Sequence, residues 1–144
     1  MPSADAPATA LVPPAPGWVV RDDEPGFCDV VGPFWQRGSG AAMRIGFRVR
    51  PEHLNRRGVV HGGMMVTFAD QVLGSLALDA SPGKRLATIQ LDTHFIDAVI
   101  EGEFVEGLPR IERQTRSILF MSGRMLVGDR LVATANGVWK VLSR

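Results

Sequence analysis

Two glycines and one aspartate, at a fixed spacing, are the residues of this sequence best suited to chemistry. Gly62 and Gly63 follow His61 and come directly before a long apolar segment. The first turn of a helix carries unpaired backbone N–H groups and a partial positive charge, and glycine lets a ligand approach the backbone closely. If the apolar segment is a helix, these two amides could stabilise a polarised carbonyl oxygen, as an oxyanion hole does.

Asp70 places a carboxylate on the same, mostly apolar, segment. Burial of a carboxylate is costly unless it has partners, and such a position suits a general base or a nucleophile. Asp70 lies eight residues beyond Gly62, which is about 12 Å along a helix that rises about 1.5 Å per residue. If both residues act on one carbonyl carbon, they come from different subunits, which predicts two sites shared across a two-fold dimer.

Each of these residues also has a purely structural explanation. Gly62 and Gly63 could form a tight turn, Asp70 could bond to a neighbouring loop, and His61 could fasten the loop by a hydrogen bond. Asn55 most often satisfies backbone groups of its own loop. The residues taken singly leave these alternatives open.

The helix that must hold this site is predicted from Met64 to Ala80. Apolar residues cover most of its circumference, and its polar residues form a narrow stripe. A helix that is apolar nearly all round must be buried in a globular protein. The polar stripe consists of Thr67, Gln71, Ser75 and Asp79, with Asp70 at its edge.

Strands are predicted on both sides of this helix. Residues of strictly alternating character predict a half-buried strand at Met43–Arg50, and Phe34–Arg37 is a short strand before it. Four further strands follow the helix: Ala87–Phe95, Glu101–Glu112, Thr115–Val127 and Leu131–Leu142, the last two joined by a Gly128-Asp129 hairpin signal. Short connections favour antiparallel pairing, and one sheet can bury such a helix only by curling around it.

Two details of these strands carry expectations. In Ala87–Phe95, alternation places Thr88, Gln90, Asp92 and His94 on one face and Ala87, Ile89, Leu91 and Phe95 on the other. In Glu101–Glu112, Gly107 and Pro109 indicate a bulge or an edge position.

Length and composition predict one ordinary globular domain. The chain has 144 residues and a formal net charge of +1, with Cys28 as its single cysteine. Charge alone therefore favours neither nucleic acid nor an anionic membrane, and no intrachain disulfide can form. We expect a flexible Pro/Ala-rich tail at 1–17, a single domain at 18–144 and a cytoplasmic location, with no membrane span.

The set Asn55, Gly58, His61-Gly62-Gly63 and Asp70 resembles the motif of hotdog-fold acyl-CoA thioesterases of the phenylacetate-degradation and 4-hydroxybenzoyl-CoA type. The family pattern runs Asn, two variable residues, Gly, two variable residues, His-Gly-Gly, six variable residues and an acidic residue, and this chain matches it throughout. The resemblance covers Phe34 to the C-terminus. It implies an α+β hotdog fold, a six-stranded antiparallel sheet around one long central helix, in homodimers that assemble to homotetramers.

The resemblance also implies roles for individual residues. The Gly62 amide would polarise a thioester carbonyl, and Asp70 of the partner subunit would act as base or nucleophile. Asn55 would orient water or carbonyl, His61 would support the oxyanion loop, and Thr88 would help to hold the water. The substrate would be an acyl- or aryl-CoA, contacted by Gly63, Gln71 and His94, with no cofactor and no metal. The arginines that bind the CoA phosphates are left open among Arg113, Arg116 and Arg124.

Two alternative functions stay open. One is a non-catalytic module that binds acyl-CoA, although the Pro-rich first 33 residues do not fit a DNA-binding helix-turn-helix regulator. The other is a hotdog dehydratase or hydratase, which His94 supports weakly because it lies mid-strand. The chain has neither a Gly-x-Ser-x-Gly elbow nor a phosphate-binding glycine loop, and its histidines lack the spacing of a zinc site.

Overall fold

Seven strands and two α-helices make up the part of the chain described by the computed structural model, residues 14–22 and 25–143. The elements in chain order are β1 (Val19–Val20), α1 (Phe27–Val31), β2 (Trp35–Arg37), β3 (Arg44–Arg48), α2 (Gly62–Asp79), β4 (Arg85–Phe95), β5 (Phe104–Gln114), β6 (Ile118–Val127) and β7 (Arg130–Leu142). The predicted α+β class is confirmed. Most of the expected tail at 1–17 lies outside the described residues.

The strands form one antiparallel sheet in the order β1-β2-β3-β5-β6-β7-β4. All six predicted strands are present, and the seventh is the two-residue β1. Pairing does not follow chain order everywhere, because β4 pairs with β7 and β5 pairs with β3 and β6. Residues 96–103 carry the chain from the β4 edge into the middle of the sheet, so one edge of β4 has no partner strand within the described chain.

Helix α2 packs across β3, β4, β5, β6 and β7 and supplies much of the core. Phe68 is fully buried, and the Phe47 ring meets it edge-on with centroids 4.7 Å apart. Gly107 of β5 leaves room for Val72 of α2, because a Cβ there would come within 2.4 Å of Val72 Cγ2. The sheet therefore closes directly onto the helix.

One stripe of α2 is not covered by the sheet. Its members recur every three or four residues and are exposed or half-buried: Gly63, Val66, Thr67, Asp70, Gln71, Gly74 and Leu78. Three residues of the predicted polar stripe, Thr67, Asp70 and Gln71, lie on this open stripe, and Asp79 is exposed. Ser75 departs from the prediction, because it is buried and its hydroxyl accepts a 2.7 Å hydrogen bond from Arg21.

A bulge at Ile89 changes the predicted faces of β4. Thr88 opposes Trp139 and Gln90 opposes Val138, so Ile89 is an extra residue in the ladder. Because Trp139 faces the core, Thr88 faces the helix with Leu91 and Phe95. The prediction that Thr88 shares a face with Gln90, Asp92 and His94 is wrong, since simple alternation does not count the extra residue.

The disturbance predicted in β5 also has a different form. The register shift lies between Ile111 and Arg113, not at Gly107 or Pro109. The strand as a whole lies between β3 and β6, but Pro109 has a partner only on β6, so the edge position holds at that residue. Pro109 is tolerated there because the ladder with β3 ends at Gly107.

Across residues 14–22 and 25–143, no helix is long and apolar enough to cross a membrane.

Candidate active site

The helix entry is capped by a histidine side chain. His61 is the N-cap of α2, and its Nδ1 accepts a 2.8 Å hydrogen bond from the Gly63 N–H. An imidazole that accepts at Nδ1 carries its proton on Nε2. The Gly63 amide is thereby occupied, whereas the Gly62 N–H has no partner among the described residues. Of the two amides proposed as oxyanion donors, the structure leaves Gly62 free.

A cavity of about 380 Å³ opens beside Gly62. Asn55, Arg57 and Asp97 are its three polar side chains. The rest of its lining is apolar residues or glycine: Val59, Val60, Gly62, Met65, Phe95, Ile96, Ala98, Val99 and Val132. The Phe95 ring, at the end of β4, lies 3.4 Å from the point where a Cβ on Gly62 would stand. A larger residue at Gly62 would therefore press on this ring.

Asn55 lines the same cavity but is partly committed to its own loop. Its side-chain oxygen accepts the N–H groups of Arg57 and Val59 at 2.8 and 3.4 Å. The structural explanation of Asn55 is thus correct as far as its oxygen is concerned. Its Nδ2 amide is the part left to contact a ligand, and it can only donate.

Asp70 lies on the open stripe of α2 and does not line the Gly62 cavity. Its Oδ1 accepts a 2.7 Å hydrogen bond from the Thr88 hydroxyl. The bulge at Ile89 makes this contact possible, because it turns Thr88 towards the helix. The structure therefore places Thr88 beside Asp70 and Asn55 beside Gly62. The two pairs are separate, because Asp70 and Gly62 lie about two turns apart on α2.

The last two predicted residues, Gln71 and His94, lie on opposite sides of the sheet. Gln71 is half-buried beside Asp70 on the open stripe. His94 lies on the outer face of the sheet, opposite Thr134, where it lines a groove of about 580 Å³ with Arg124. His94 is thus on the side away from Asp70 and Gly62 of its own subunit.

The wall of the Gly62 cavity is held in place by an arginine that the sequence reading did not single out. Arg130 donates to the Asp97 carboxylate at 3.1 Å, to the Ala98 carbonyl at 2.6 Å and to Glu103 at 2.6 Å. The Arg130 hydrogen bond and that of the Ala98 N–H hold the pKa of Asp97 below its usual value. Asp97 is therefore an ionised, paired carboxylate.

Sequence reasoning also missed Phe95 and Arg57. The alternation groups Phe95 with Ala87, Ile89 and Leu91 on one face of its strand, but no signal in the sequence indicates that its ring reaches Gly62. In the part of the chain that the structure describes, no group of three or more His, Cys, Asp or Glu residues is placed to hold a metal ion.

Comparison with known proteins decides the family. The family profile of the Thioesterase superfamily matches residues 57–135, more than half of the 144 residues. The chain belongs to the Thioesterase superfamily. This superfamily member is also 32% identical over 113 residues to a Pseudomonas aeruginosa protein provisionally named an esterase, an alignment covering 77% of this chain and 84% of that protein.

Two solved structures resemble the fold of this thioesterase-superfamily chain. One is a mutant of the phenylacetic acid degradation protein PaaI from Thermus thermophilus, with TM-score 0.72, 18% identity, and coverage of 80% of this chain and 97% of that one. The other is a hypothetical thioesterase from Streptococcus pneumoniae with coenzyme A, with TM-score 0.70, 20% identity, and coverage of 77% and 87%. The predicted hotdog fold is confirmed.

Proposed function

We propose that this chain hydrolyses acyl-CoA thioesters. Water adds to the thioester carbon, the C–S bond breaks, and the free acid and the CoA thiol leave. The observation that carries the proposal is the Gly62 N–H at the positive end of α2, which no described residue accepts and which lies beside a cavity of about 380 Å³. A donor fixed there stabilises the oxyanion that forms when water attacks. The coenzyme A in the Streptococcus pneumoniae structure supports CoA as the thiol.

The site is shared between two copies of the chain. Asp70 is about 12 Å along the helix from Gly62, so one carbonyl carbon cannot contact both groups of a single subunit. Asp70 lies on the stripe that the sheet leaves open, and the 11-residue β4 beside it has a free edge. A long unpaired edge is a template for pairing with a second chain. Two-fold pairing there supports a homodimer in which Asp70 of the partner subunit faces Gly62.

Each polar group then has a defined part. Asp70 takes a proton from water or attacks the thioester carbon directly, and the Thr88 hydroxyl at 2.7 Å orients its carboxylate. Asn55 donates from Nδ2 to the carbonyl oxygen or to water. His61 acts as a positioning residue, because its bond to the Gly63 N–H fixes the helix entry at 2.8 Å.

The substrate contacts and the wider assembly remain part of the proposal. Gln71, next to Asp70, would contact the bound thioester. Gly63 has no side chain and would let the thioester approach the helix entry closely. His94 would contact only a portion of CoA that passes beyond the β4 edge to the outer face. The PaaI neighbour supports the phenylacetate-degradation type. Assembly to a homotetramer and a cytoplasmic location complete the proposed description.

Exchange of Asp70 for asparagine tests the mechanism. Loss of a general base lowers rates by about 100- to 10,000-fold, so we expect Asp70→Asn to lower kcat by at least about 100-fold with an unchanged circular dichroism spectrum. Asp79→Asn is the matched control, since Asp79 is an exposed carboxylate on the same helix and accepts the Gly40 N–H at 3.2 Å. Near-normal turnover by Asp70→Asn would remove Asp70 from its role.

Mixed dimers test the sharing of the site. Gly62→Val is chosen to block the other half of the site, because its Cβ would already contact the Phe95 ring at 3.4 Å and its two Cγ methyl groups extend beyond that contact. Heterodimers of Asp70→Asn and Gly62→Val subunits contain one intact site, and we expect them to recover up to about half of the wild-type activity. Verified heterodimers without any activity would contradict a shared site.

A panel of short, medium, long-chain and aryl acyl-CoAs, followed by thiol release, separates hydrolysis from binding alone. We expect turnover of at least one class. Wild-type protein that binds CoA and hydrolyses none of the panel would be a non-catalytic acyl-CoA-binding module.

A further inference from the structure

We propose that Arg57 recognises the diphosphate of the CoA substrate at the mouth of the Gly62 cavity. The inference rests on the proposed function, and it assigns to Arg57 the preference for CoA over thiols that lack the diphosphate. Arg57 lines the cavity and is exposed, so it stands at the rim and not in the interior. The phosphates of CoA are separated from its sulfur by the pantetheine arm, so a group that meets them must lie outside the position of the thioester.

The loop that carries Arg57 is tightly constrained. The Arg57 N–H donates to Asn55 Oδ1 at 2.8 Å, the Gly58 N–H donates to the Asn55 carbonyl at 3.0 Å, and the Asn55 N–H donates to the Val59 carbonyl at 2.8 Å. Gly58 adopts φ +79°, which closes the turn. The residue that reaches the thioester from this loop, Asn55, thus also fixes the backbone of Arg57.

The charge of Arg57 is not neutralised within the described chain. Arg44, Arg50, Arg110 and Arg130 each lie within 4 Å of a carboxylate, whereas Arg57 has no hydrogen bond or ion pair from its side chain to any described residue. Asp97, the one acidic residue in the cavity lining, is engaged by Arg130 at 3.1 Å. A free guanidinium presents a planar fork of donors that fits phosphate oxygens.

The three arginines suggested by the sequence lie farther than Arg57 from the Gly62 cavity of their own subunit. Arg124 lines the groove on the outer face of the sheet. Arg113 and Arg116 belong to the β5–β6 hairpin, which meets the far end of α2, since Gln114 Nε2 donates to the Ala80 carbonyl at 3.1 Å. Helix α2 has 18 residues, so within one subunit this end is about 27 Å from Gly62. In a shared site the hairpin of the partner subunit could come nearer, and Arg116→Gln tests that alternative.

Paired substrates with and without phosphates test this assignment. The same acyl group is presented as acyl-CoA and as acyl-pantetheine to the wild type, to Arg57→Gln and to Arg116→Gln, which alters one of the competing candidates. A charge-assisted contact to phosphate is lost in Arg57→Gln, so we expect KM for acyl-CoA to rise about 5- to 20-fold with kcat within about twofold. We expect KM for acyl-pantetheine to stay unchanged in Arg57→Gln. In Arg116→Gln we expect KM to stay unchanged for both substrates.

Salt adds a second readout. Ionic strength weakens exposed charge contacts, so KM of the wild type for acyl-CoA rises with salt, and Arg57→Gln shows a shallower rise. Arg57→Lys restores part of the affinity, because it keeps the charge and loses the fork. An unchanged KM in Arg57→Gln, an equal rise with acyl-pantetheine, or a larger effect of Arg116→Gln would each overturn the assignment.

Calorimetric titration with CoA separates this inference from the proposed function. If the wild type hydrolyses neither substrate but binds CoA about 5- to 20-fold more tightly than Arg57→Gln does, the phosphate site stands and the hydrolase proposal fails. If hydrolysis proceeds and Arg57→Gln behaves as wild type, only the phosphate site fails. A wild type that neither binds CoA nor hydrolyses its thioesters overturns both.

Discussion

Two of the three histidines, His53 and His61, use their ring nitrogens to hydrogen-bond to the backbone. His61 accepts the Gly63 N–H, and His53 joins two segments: its Nδ1 accepts the Arg50 N–H at 3.0 Å, and its Nε2 lies 2.7 Å from the Val31 carbonyl. His53 is 4% exposed. Desolvation is the largest cause of its lowered pKa, the hydrogen bond to Val31 opposes it, and the Arg50 charge lowers it further.

The lowered pKa of His53 predicts a loss of stability in mild acid. Below the pKa of about 6.5 that His53 has in the unfolded chain, the unfolded chain binds a proton that the folded chain does not bind. The free energy of unfolding therefore falls as the pH drops. We expect urea unfolding to show full stability at pH 7.5 and a decline towards pH 5. His53→Gln, which does not titrate, is expected to show a flatter decline. Equal slopes for both proteins would contradict this account.

At the scale of the elements, residues on β4 and β5 show where sequence patterns succeed and where they stop. Hydrophobic periodicity located α2 and six strands to within a few residues, because it reports which side of an element is buried. It did not locate the bulge at Ile89, since the extra residue exists only relative to Trp139 and Val138 on β7. The position of Asn55 beside Gly62 followed the motif, whereas Phe95 and Arg57 reached the cavity through tertiary packing.

The glycine in β5 gives a prediction about the packing of strand on helix. Gly107→Ala would place a Cβ within 2.4 Å of Val72 Cγ2, and overpacking of this kind costs about 1–3 kcal/mol. Val72→Ala alone leaves a small cavity and is also destabilising.

The double variant is the informative one. In Gly107→Ala/Val72→Ala the new methyl group occupies the space that valine leaves, so the loss of unfolding free energy is smaller than the sum of the single losses by about 0.5–3 kcal/mol. Chemical denaturation of the four proteins measures this coupling. Strictly additive losses would mean that the two residues do not compete for one space.

At the scale of the whole molecule, the open stripe of α2 and the free edge of β4 describe the surface on which the proposed dimer forms. Val66 is 37% exposed and Leu78 is 51% exposed on a helix that is otherwise largely buried. The sequence indicated a helix buried all round, and a single copy of the chain buries it only in part. The predicted polar stripe located part of the open face, since Thr67, Asp70 and Gln71 lie on it, but nothing in the pattern indicated that Val66 and Leu78 are exposed beside them.

A charge placed on this stripe is expected to separate the subunits. Val66→Asp would bury an unpaired carboxylate in the proposed interface, so we expect a monomer in analytical ultracentrifugation and loss of thioester hydrolysis. Val30→Asp is the control, because Val30 is 72% exposed on α1, away from the stripe. A fully active Val66→Asp monomer would contradict the shared site.

The additional residue in β4 affects how this chain can be compared with its relatives. With Ile89 in place, the hydroxyl of Thr88 reaches the Asp70 carboxylate. A relative that lacks the insertion would direct the residue aligned with Thr88 to the opposite side of its sheet. A threonine aligned with Thr88 therefore need not place its hydroxyl beside the acidic residue in another protein. The number of residues between that threonine and the aromatic residue at the strand end, Phe95 here, is the better guide.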